Sequence, residues 1–199
     1  FKAPHGWRIV RWIIKVRSVI HKLYKKDIGY IKIRSFSKNT SVDLDKALGE
    51  LEKKEISKLI LDLRNNPGGL LNQAVEVTDR FLNRENLIVY TKGRSDEQNM
   101  RFTSHDKVAG VAYPLIILVN SGSASASEIV AGALQDLNRA IILGTPTFGK
   151  GSVQTIIPLS DGSALRLTTA RYYTPSGRVI QENGIEPDII IEREIPEEL

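Results

Sequence analysis

The chain contains no cysteine, and only three histidines and one methionine among its 199 residues. The absence of cysteine excludes a disulfide framework, thiolate-ligated metal sites and a cysteine nucleophile. Any covalent catalysis must therefore use another side chain. No group of histidines and carboxylates has the spacing of metal ligands, so we expect neither a metal ion nor another cofactor.

The chain also lacks long apolar runs, and its excess of positive charge is not spread along its length. The longest apolar stretch, residues 113–119, is far shorter than the roughly 20 residues that span a bilayer. The net charge of +5 is concentrated in residues 1–26, which carry eight basic residues and no acidic ones. The remaining residues hold 20 basic and 23 acidic side chains, a formal charge of −3. Because phosphate binding needs a basic face, we expect no nucleic-acid partner.

The hydrophobic pattern predicts alternating strands and helices. Residues 7–20 are expected to be extended, with contact to anionic lipid as the alternative for this basic segment. Residues 94–112 show no clear periodicity and are expected to form a loop. A mainly parallel sheet covered by helices follows from the alternation, with a hairpin after it. The predicted strands are 28–36, 58–63, 88–91, 115–120 and 140–143, the helices are 43–54, 71–82 and 126–138, and the hairpin pairs 153–159 with 165–172.

Two strand-to-helix junctions are candidates for a ligand site, because ligands collect at the carboxyl ends of parallel strands. The first is DLRNNPGG at residues 62–69, where the Pro-Gly-Gly turn allows close approach of a backbone. The second, at residues 120–128, contains four serines: Ser121, Ser123, Ser125 and Ser127. Serine there is either a helix cap or a nucleophile, and the spacing alone does not select one of the four.

A nucleophilic serine needs a base, and the histidines are poorly placed to provide one. His5 and His21 lie in the basic leader and His105 lies in the irregular loop, so a Ser-His-Asp triad is not expected. A lysine that burial keeps neutral is the alternative, and Lys150 follows a predicted strand between two glycines. The segment 144–150 has phosphate-loop spacing, but Gly151 replaces the magnesium-binding hydroxyl, which argues against nucleotide binding.

Five motifs in order resemble the carboxyl-terminal processing peptidases, also called tail-specific proteases. The likeness runs from about residue 27 to residue 191, and the fold it implies is α/β, a crotonase- and Clp protease-like core of βαβ units with a C-terminal β-hairpin region. The motifs are DLRNNPGG at 62–69, SGSASASEIVAG at 121–132, FGKGSVQ at 148–154, ALRLTTARYYTPSG at 164–177 and GIEPD at 184–188.

The resemblance implies a serine endopeptidase with a Ser-Lys dyad that forms an acyl-enzyme. It makes Ser125 the nucleophile, Lys150 the general base and Gln154 the side chain that positions the lysine. It also places the backbone N–H groups of Gly69 and Ala126 in the oxyanion hole. The 25-residue interval between Ser125 and Lys150 fits the family. The implied substrates are proteins or peptides with apolar C-termini.

The N-terminus departs from the family pattern, in which a PDZ domain precedes the core. Residues 1–26 are too few for such a domain and are expected to be a remnant of its last strand and linker, with the catalytic core at 27–199. The resemblance implies a location outside the cytoplasm, in the periplasm or cell envelope. It leaves peripheral membrane association and a homo-oligomer open. The alternatives are a non-catalytic ligand- or protein-binding module of the same fold and an acyl-CoA-handling enzyme of the crotonase type.

Overall fold

The computed structural model describes residues 17–105 and 113–192. Most of the segment expected to be extended, the first part of the expected PDZ remnant and the end of the expected 94–112 loop therefore lie outside the described residues. The described chain forms two sheets and three α-helices. The strands are β1 (Val19–Tyr24), β2 (Ile28–Ile33), β3 (Lys58–Asp62), β4 (Leu87–Gly93), β5 (Arg101–Thr103), β6 (Leu115–Val119), β7 (Ile141–Gly144), β8 (Ser152–Pro158), β9 (Ala164–Tyr173) and β10 (Ile189–Ile190). The helices are α1 (Thr40–Glu52), α2 (Leu71–Asp79) and α3 (Ala126–Asp136).

The larger sheet has six strands in the order β1-β2-β3-β6-β7-β10. Strands β2, β3, β6, β7 and β10 are parallel, whereas β1 pairs antiparallel with β2 at one edge. Helix α1 follows β2 and α2 follows β3, which is the predicted βαβ order. The expected α/β class with a C-terminal hairpin is confirmed.

The smaller sheet has four antiparallel strands in the order β5-β4-β9-β8. Strand β4, which covers the predicted strand 88–91, belongs to this second sheet, where it pairs with β5 and β9. Part of the expected 94–112 loop is also ordered, with a 3-10 turn at Asp96–Gln98 and strand β5. The Thr91 hydroxyl holds this segment, donating to the Gln98 carbonyl at 2.6 Å and accepting from the Met100 N–H at 2.9 Å.

The core lies around the central strands of the larger sheet and helix α3. Leu61 and Ile117, on the adjacent strands β3 and β6, are fully buried. Most residues of α3 are buried as well, since the helix contacts α2, β4 and β7. Within the described ranges, no helix is both long and apolar enough to cross a bilayer.

The register of the central strands determines where the loops emerge. Asp62 at the end of β3 lies opposite Leu118 near the end of β6. The loops that follow these two strands therefore leave the same edge of the sheet side by side. These are the two junctions at 62–69 and 120–128 that the sequence singled out.

Candidate active site

Ser125 immediately precedes helix α3 as its N-cap residue and has a strained backbone. Its φ of 56° and ψ of −112° lie in a region that residues with a Cβ rarely adopt. Such backbone strain costs of order 1–3 kcal/mol and is concentrated at functional sites. The Ser125 N–H donates to a carboxylate oxygen of Glu128 at 2.7 Å, which stabilises this geometry.

The structure distinguishes the four serines of this junction. The buried Ser123 hydroxyl donates to the Leu63 carbonyl at 2.8 Å, and the buried Ser127 hydroxyl donates to the Asn66 carbonyl at 3.0 Å. These two serines join the neighbouring loop to the serine loop. Ser121 lines a separate cavity of about 490 Å³ at the carboxyl edge of the larger sheet. Ser125 lines a different cleft, with Lys150, and is the serine whose placement suits a nucleophile.

The glycine loop lies directly against Ser125. Gly68 has a φ of 96°, and a Cβ placed on it would come within 2.8 Å of the Ser125 Cβ and 2.6 Å of the Ala124 carbonyl oxygen. Only glycine permits this close approach. The fully buried Asn66 fixes the loop, since its side-chain oxygen accepts from the Gly68 N–H at 2.9 Å and its amide donates to the Ile33 carbonyl at 2.9 Å.

Two backbone donors next to Ser125 have no acceptor among the described residues. In residues 17–105 and 113–192, neither the Gly69 N–H nor the Ala126 N–H donates a hydrogen bond. Gly69 follows Gly68, and Ala126 follows Ser125. Because Gly68 lies against Ser125, the two N–H groups belong to segments that are in contact. Free N–H groups at a helix N-terminus can stabilise a negative charge.

Glu128 connects the serine segment to the lysine segment. Its fully buried carboxylate accepts four hydrogen bonds, two on each oxygen. One oxygen accepts from the Ser125 N–H at 2.7 Å and the Lys150 N–H at 2.9 Å. The other accepts from the Thr147 hydroxyl and the Gly149 N–H, both at 2.6 Å. A single side chain therefore fixes the relative position of the two segments.

Glu128 was not among the residues expected from the sequence, although the sequence contains a signal for it. Serine followed three residues later by glutamate, before an apolar run, is the capping-box pattern, and Ser125 and Glu128 fit it. That pattern predicts the bond that the Ser125 N–H donates to the Glu128 carboxylate. It does not predict the bonds to residues 147–150, because they join segments about 20 residues apart.

Ser125, Lys150 and Gln154 line one open cleft of about 400 Å³, together with Gly68 and Gly69. The structure thus brings the expected catalytic side chains together. No hydrogen bond joins the three side chains, and Lys150 and Gln154 are exposed. Lys150 therefore lacks the burial expected of a neutral lysine base. Hydrogen bonds between catalytic groups are often long or poorly aligned before substrate binds. The lack of a hydrogen bond between Ser125 and Lys150 therefore does not argue against a Ser-Lys dyad.

Asp62, at the end of β3, organises the start of the glycine loop. Its side chain is fully buried, and burial by itself raises the pKa of the carboxyl group. Hydrogen bonds from the Arg64 guanidinium and the Tyr30 hydroxyl outweigh burial and lower the pKa to about 2. Burial, with the bond to Asp62, raises the pKa of Tyr30 to about 12. This cluster supports the loop and does not line the cleft that contains Ser125.

No group of three or more histidines and carboxylates among the described residues could hold a metal ion. The chemistry that the cleft can support is instead that of a serine hydroxyl, an amine and two free backbone donors. This set is suited to attack on a carbonyl and to binding the resulting oxyanion.

Comparisons with known proteins agree with this geometry. The model of peptidase family S41 matches residues 27–191. The chain is 53% identical over 198 residues to a carboxy-terminal-processing protease of Bartonella bacilliformis, a match that covers 98% of this chain and 45% of that protein. It is 45% identical over 167 residues to the chloroplastic carboxyl-terminal-processing peptidase 3 of Arabidopsis thaliana, covering 81% of this chain and 31% of that protein.

A solved structure has the same fold. The photosystem II D1 C-terminal processing protease superimposes with a TM-score of 0.81 at 35% identity, covering 91% of this chain and 50% of that chain. The chain spans about half or less of the length of these proteins. The family match nevertheless covers most of the sequence, and this chain belongs to peptidase family S41.

Proposed function

We propose that this chain carries the catalytic core of a serine endopeptidase in which Ser125 is the nucleophile and Lys150 the general base. The observation that carries the proposal is a strained Ser125 that lines one cleft with Lys150, next to two N–H groups without an acceptor in the part of the chain that the structure describes. Family membership supports the same chemistry.

In the proposed reaction, the neutral amine of Lys150 accepts the Ser125 proton as the serine oxygen attacks a peptide carbonyl. The carbonyl π bond breaks, and its electron pair becomes an oxyanion bound by the N–H groups of Gly69 and Ala126. Collapse of this intermediate expels the amine, which takes the proton from Lys150, and leaves an acyl-enzyme. Water then attacks the ester with Lys150 again as base, which releases the acid and restores Ser125.

Gln154 is proposed to orient the Lys150 amine. The two residues line the same cleft, and Gln154 lies on β8, four residues after Lys150. A bond from the amine to the amide oxygen would hold the lysine lone pair toward Ser125. We also propose that the substrates are proteins with apolar C-termini, processed outside the cytoplasm. The names of the relatives support processing at a carboxyl terminus, and one relative is chloroplastic.

Labelling with a fluorophosphonate tests the dyad directly, because the reagent reacts with an activated serine. We expect the chain to be labelled, Ser125→Ala to lose labelling and Lys150→Ala to slow it by roughly 100-fold or more. Lys46→Ala is the matched control, since this exposed lysine lies on α1, away from the cleft. Labelling of Lys150→Ala at the rate of the control would contradict a lysine base. A folded chain that is not labelled would favour the binding-module alternative.

A further inference from the structure

Arg166 is a cleft residue that the reaction described above does not use. It lines the same cleft as Ser125, Lys150 and Gln154. Strand pairing explains this position: Arg166 on β9 lies opposite Ile156 on β8, and Ile156 follows Gln154 by two residues. Because side chains two apart on a strand share a face, Arg166, Ile156 and Gln154 point to the same side of the hairpin.

The charge of Arg166 is not balanced by any described acidic residue. Arg64, Arg80 and Arg178 all form ion pairs with aspartates, whereas the Arg166 guanidinium has no hydrogen bond or ion pair within the described ranges. The described residues that line the cleft include the Arg166 guanidinium and no carboxylate. A guanidinium in a cleft without an acidic side chain favours a ligand that carries a negative charge.

The hairpin around Arg166 carries little charge. Arg166 is the one charged residue in the paired segments 155–158 and 164–168 of the hairpin. Its cross-strand neighbour Ile156 is 67% exposed, which is unusual for an isoleucine. An exposed apolar side chain beside an unpaired guanidinium fits a peptide that presents an apolar side chain next to a carboxylate.

The position also limits which part of a peptide could reach this pair. Arg166 lies opposite Ile156, which is two residues beyond Gln154. Two residues of a strand span about 7 Å, so Arg166 lies about two residues further along the hairpin than Gln154. The guanidinium would therefore contact a substrate close to the bond that Ser125 attacks.

We propose that Arg166 is a specificity residue that binds a carboxylate of the peptide substrate, while Ile156 contacts the adjacent apolar side chain. The proposal rests on the proposed peptidase function. The carboxylate is either the C-terminal α-carboxylate of the substrate or the side chain of an aspartate or glutamate near the cleaved bond. Both sources present the planar pair of oxygens that a guanidinium binds through two hydrogen bonds.

The experiment compares cleavage of matched peptides by the chain and by Arg166→Gln, Arg166→Lys and the control Arg34→Gln. Arg34 is an exposed arginine that lies outside the cleft. The peptides share one apolar sequence and end either in a free carboxylate or in a carboxamide. A third set is amidated and carries a glutamate in turn at each position flanking the cleaved bond. The readout is kcat/KM, with fluorophosphonate labelling of each variant measured in parallel.

We expect the chain to prefer carboxylate-bearing peptides by roughly 10-fold, the effect of a charge-assisted hydrogen bond in a partly solvated site. Arg166→Gln should abolish the preference, Arg166→Lys should keep part of it and Arg34→Gln should keep all of it. A preference for the free C-terminus identifies the α-carboxylate, and one for a glutamate peptide identifies the side chain. Equal cleavage of all peptides, or an unchanged preference in Arg166→Gln, would overturn the inference while cleavage and labelling still support the peptidase. If the unmodified chain is not labelled by the fluorophosphonate, the proposed function itself is refuted.

Discussion

Replacement of Glu128 by glutamine should separate the serine and lysine segments of the active site. The carboxylate accepts two hydrogen bonds on each oxygen. Glutamine substitutes an NH₂ donor for one oxygen, so two of the four donors would face another donor. Each lost bond to a charged group costs about 1.5–3 kcal/mol, which predicts a total destabilisation of about 3–6 kcal/mol.

The same change should reduce activity more than the loss of stability explains. For a domain of this size, 1 kcal/mol shifts Tm by about 2–4 °C, so Glu128→Gln should lower Tm by about 6–24 °C. At temperatures where the variant remains folded, displacement of Ser125 or Lys150 by about 1 Å should slow fluorophosphonate labelling about 100-fold. Thermal unfolding and labelling rate, measured on the same sample, give the two quantities.

Glu97→Gln is the matched control, because Glu97 is exposed in the 3-10 turn and far from these bonds in sequence. It should change the free energy of unfolding by no more than about 0.5 kcal/mol. If Glu128→Gln shifted Tm by less than about 2 °C and labelled within twofold of the unmodified chain, the assignment of Glu128 as the link between the two segments would be refuted.

Three further predictions concern the loops and the cleft. The pKa of Asp62 is lowered in the folded chain, so ionised Asp62 stabilises the fold by about 2 kcal/mol above pH 4, and this contribution is lost as pH falls toward 2. The difference in free energy of unfolding between the chain and Asp62→Asn, measured in urea, should therefore shrink over that pH range. A constant difference would contradict the assignment. Gly68→Ala should slow labelling at least 10-fold, because the new Cβ would clash with Ser125. Gly162→Ala is the control: Gly162 has a similar positive φ but lies in open space, so this change should only destabilise the fold by about 1 kcal/mol. Equal labelling rates for the two variants would exclude the steric explanation. Gln154→Ala should lower kcat by about 5- to 10-fold with little change in KM, as expected for loss of one hydrogen bond to the lysine; a change in KM alone would indicate a substrate contact instead.

Local sequence signals were sufficient for the regular part of the fold. The helix prediction for 43–54 corresponds to α1 at Thr40–Glu52, because apolar residues recur at helical spacing. The partner of β4 was not predictable in the same way. A short apolar strand fits either sheet, and its pairing with β9 joins residues about 80 positions apart. Strand β5 is three residues long and depends on Thr91, so it leaves no periodic signal.

The candidate site, like the fold, was only partly predictable from local sequence. Ser125, Lys150, Gln154, Gly69 and Ala126 were expected from motif resemblance, and the structure places Ser125, Lys150, Gln154 and Gly69 around one cleft with Ala126 directly after the serine. Glu128 and Thr147 were missed, because their role is to bond across segments that are distant in the chain. Arg166 was present in a quoted motif, but its cleft position depends on the register of the predicted hairpin, which the sequence does not specify.

The most direct test of the Ser-Lys account is cleavage of an unfolded protein with an apolar C-terminus by the chain, Ser125→Ala and Lys150→Ala, from mildly acidic to alkaline pH. Because a protonated amine accepts no proton, the account predicts cleavage that rises with pH and is lost in both variants. Cleavage by Ser125→Ala, or a Lys150→Ala variant with the pH profile and rate of the unmodified chain, would contradict it.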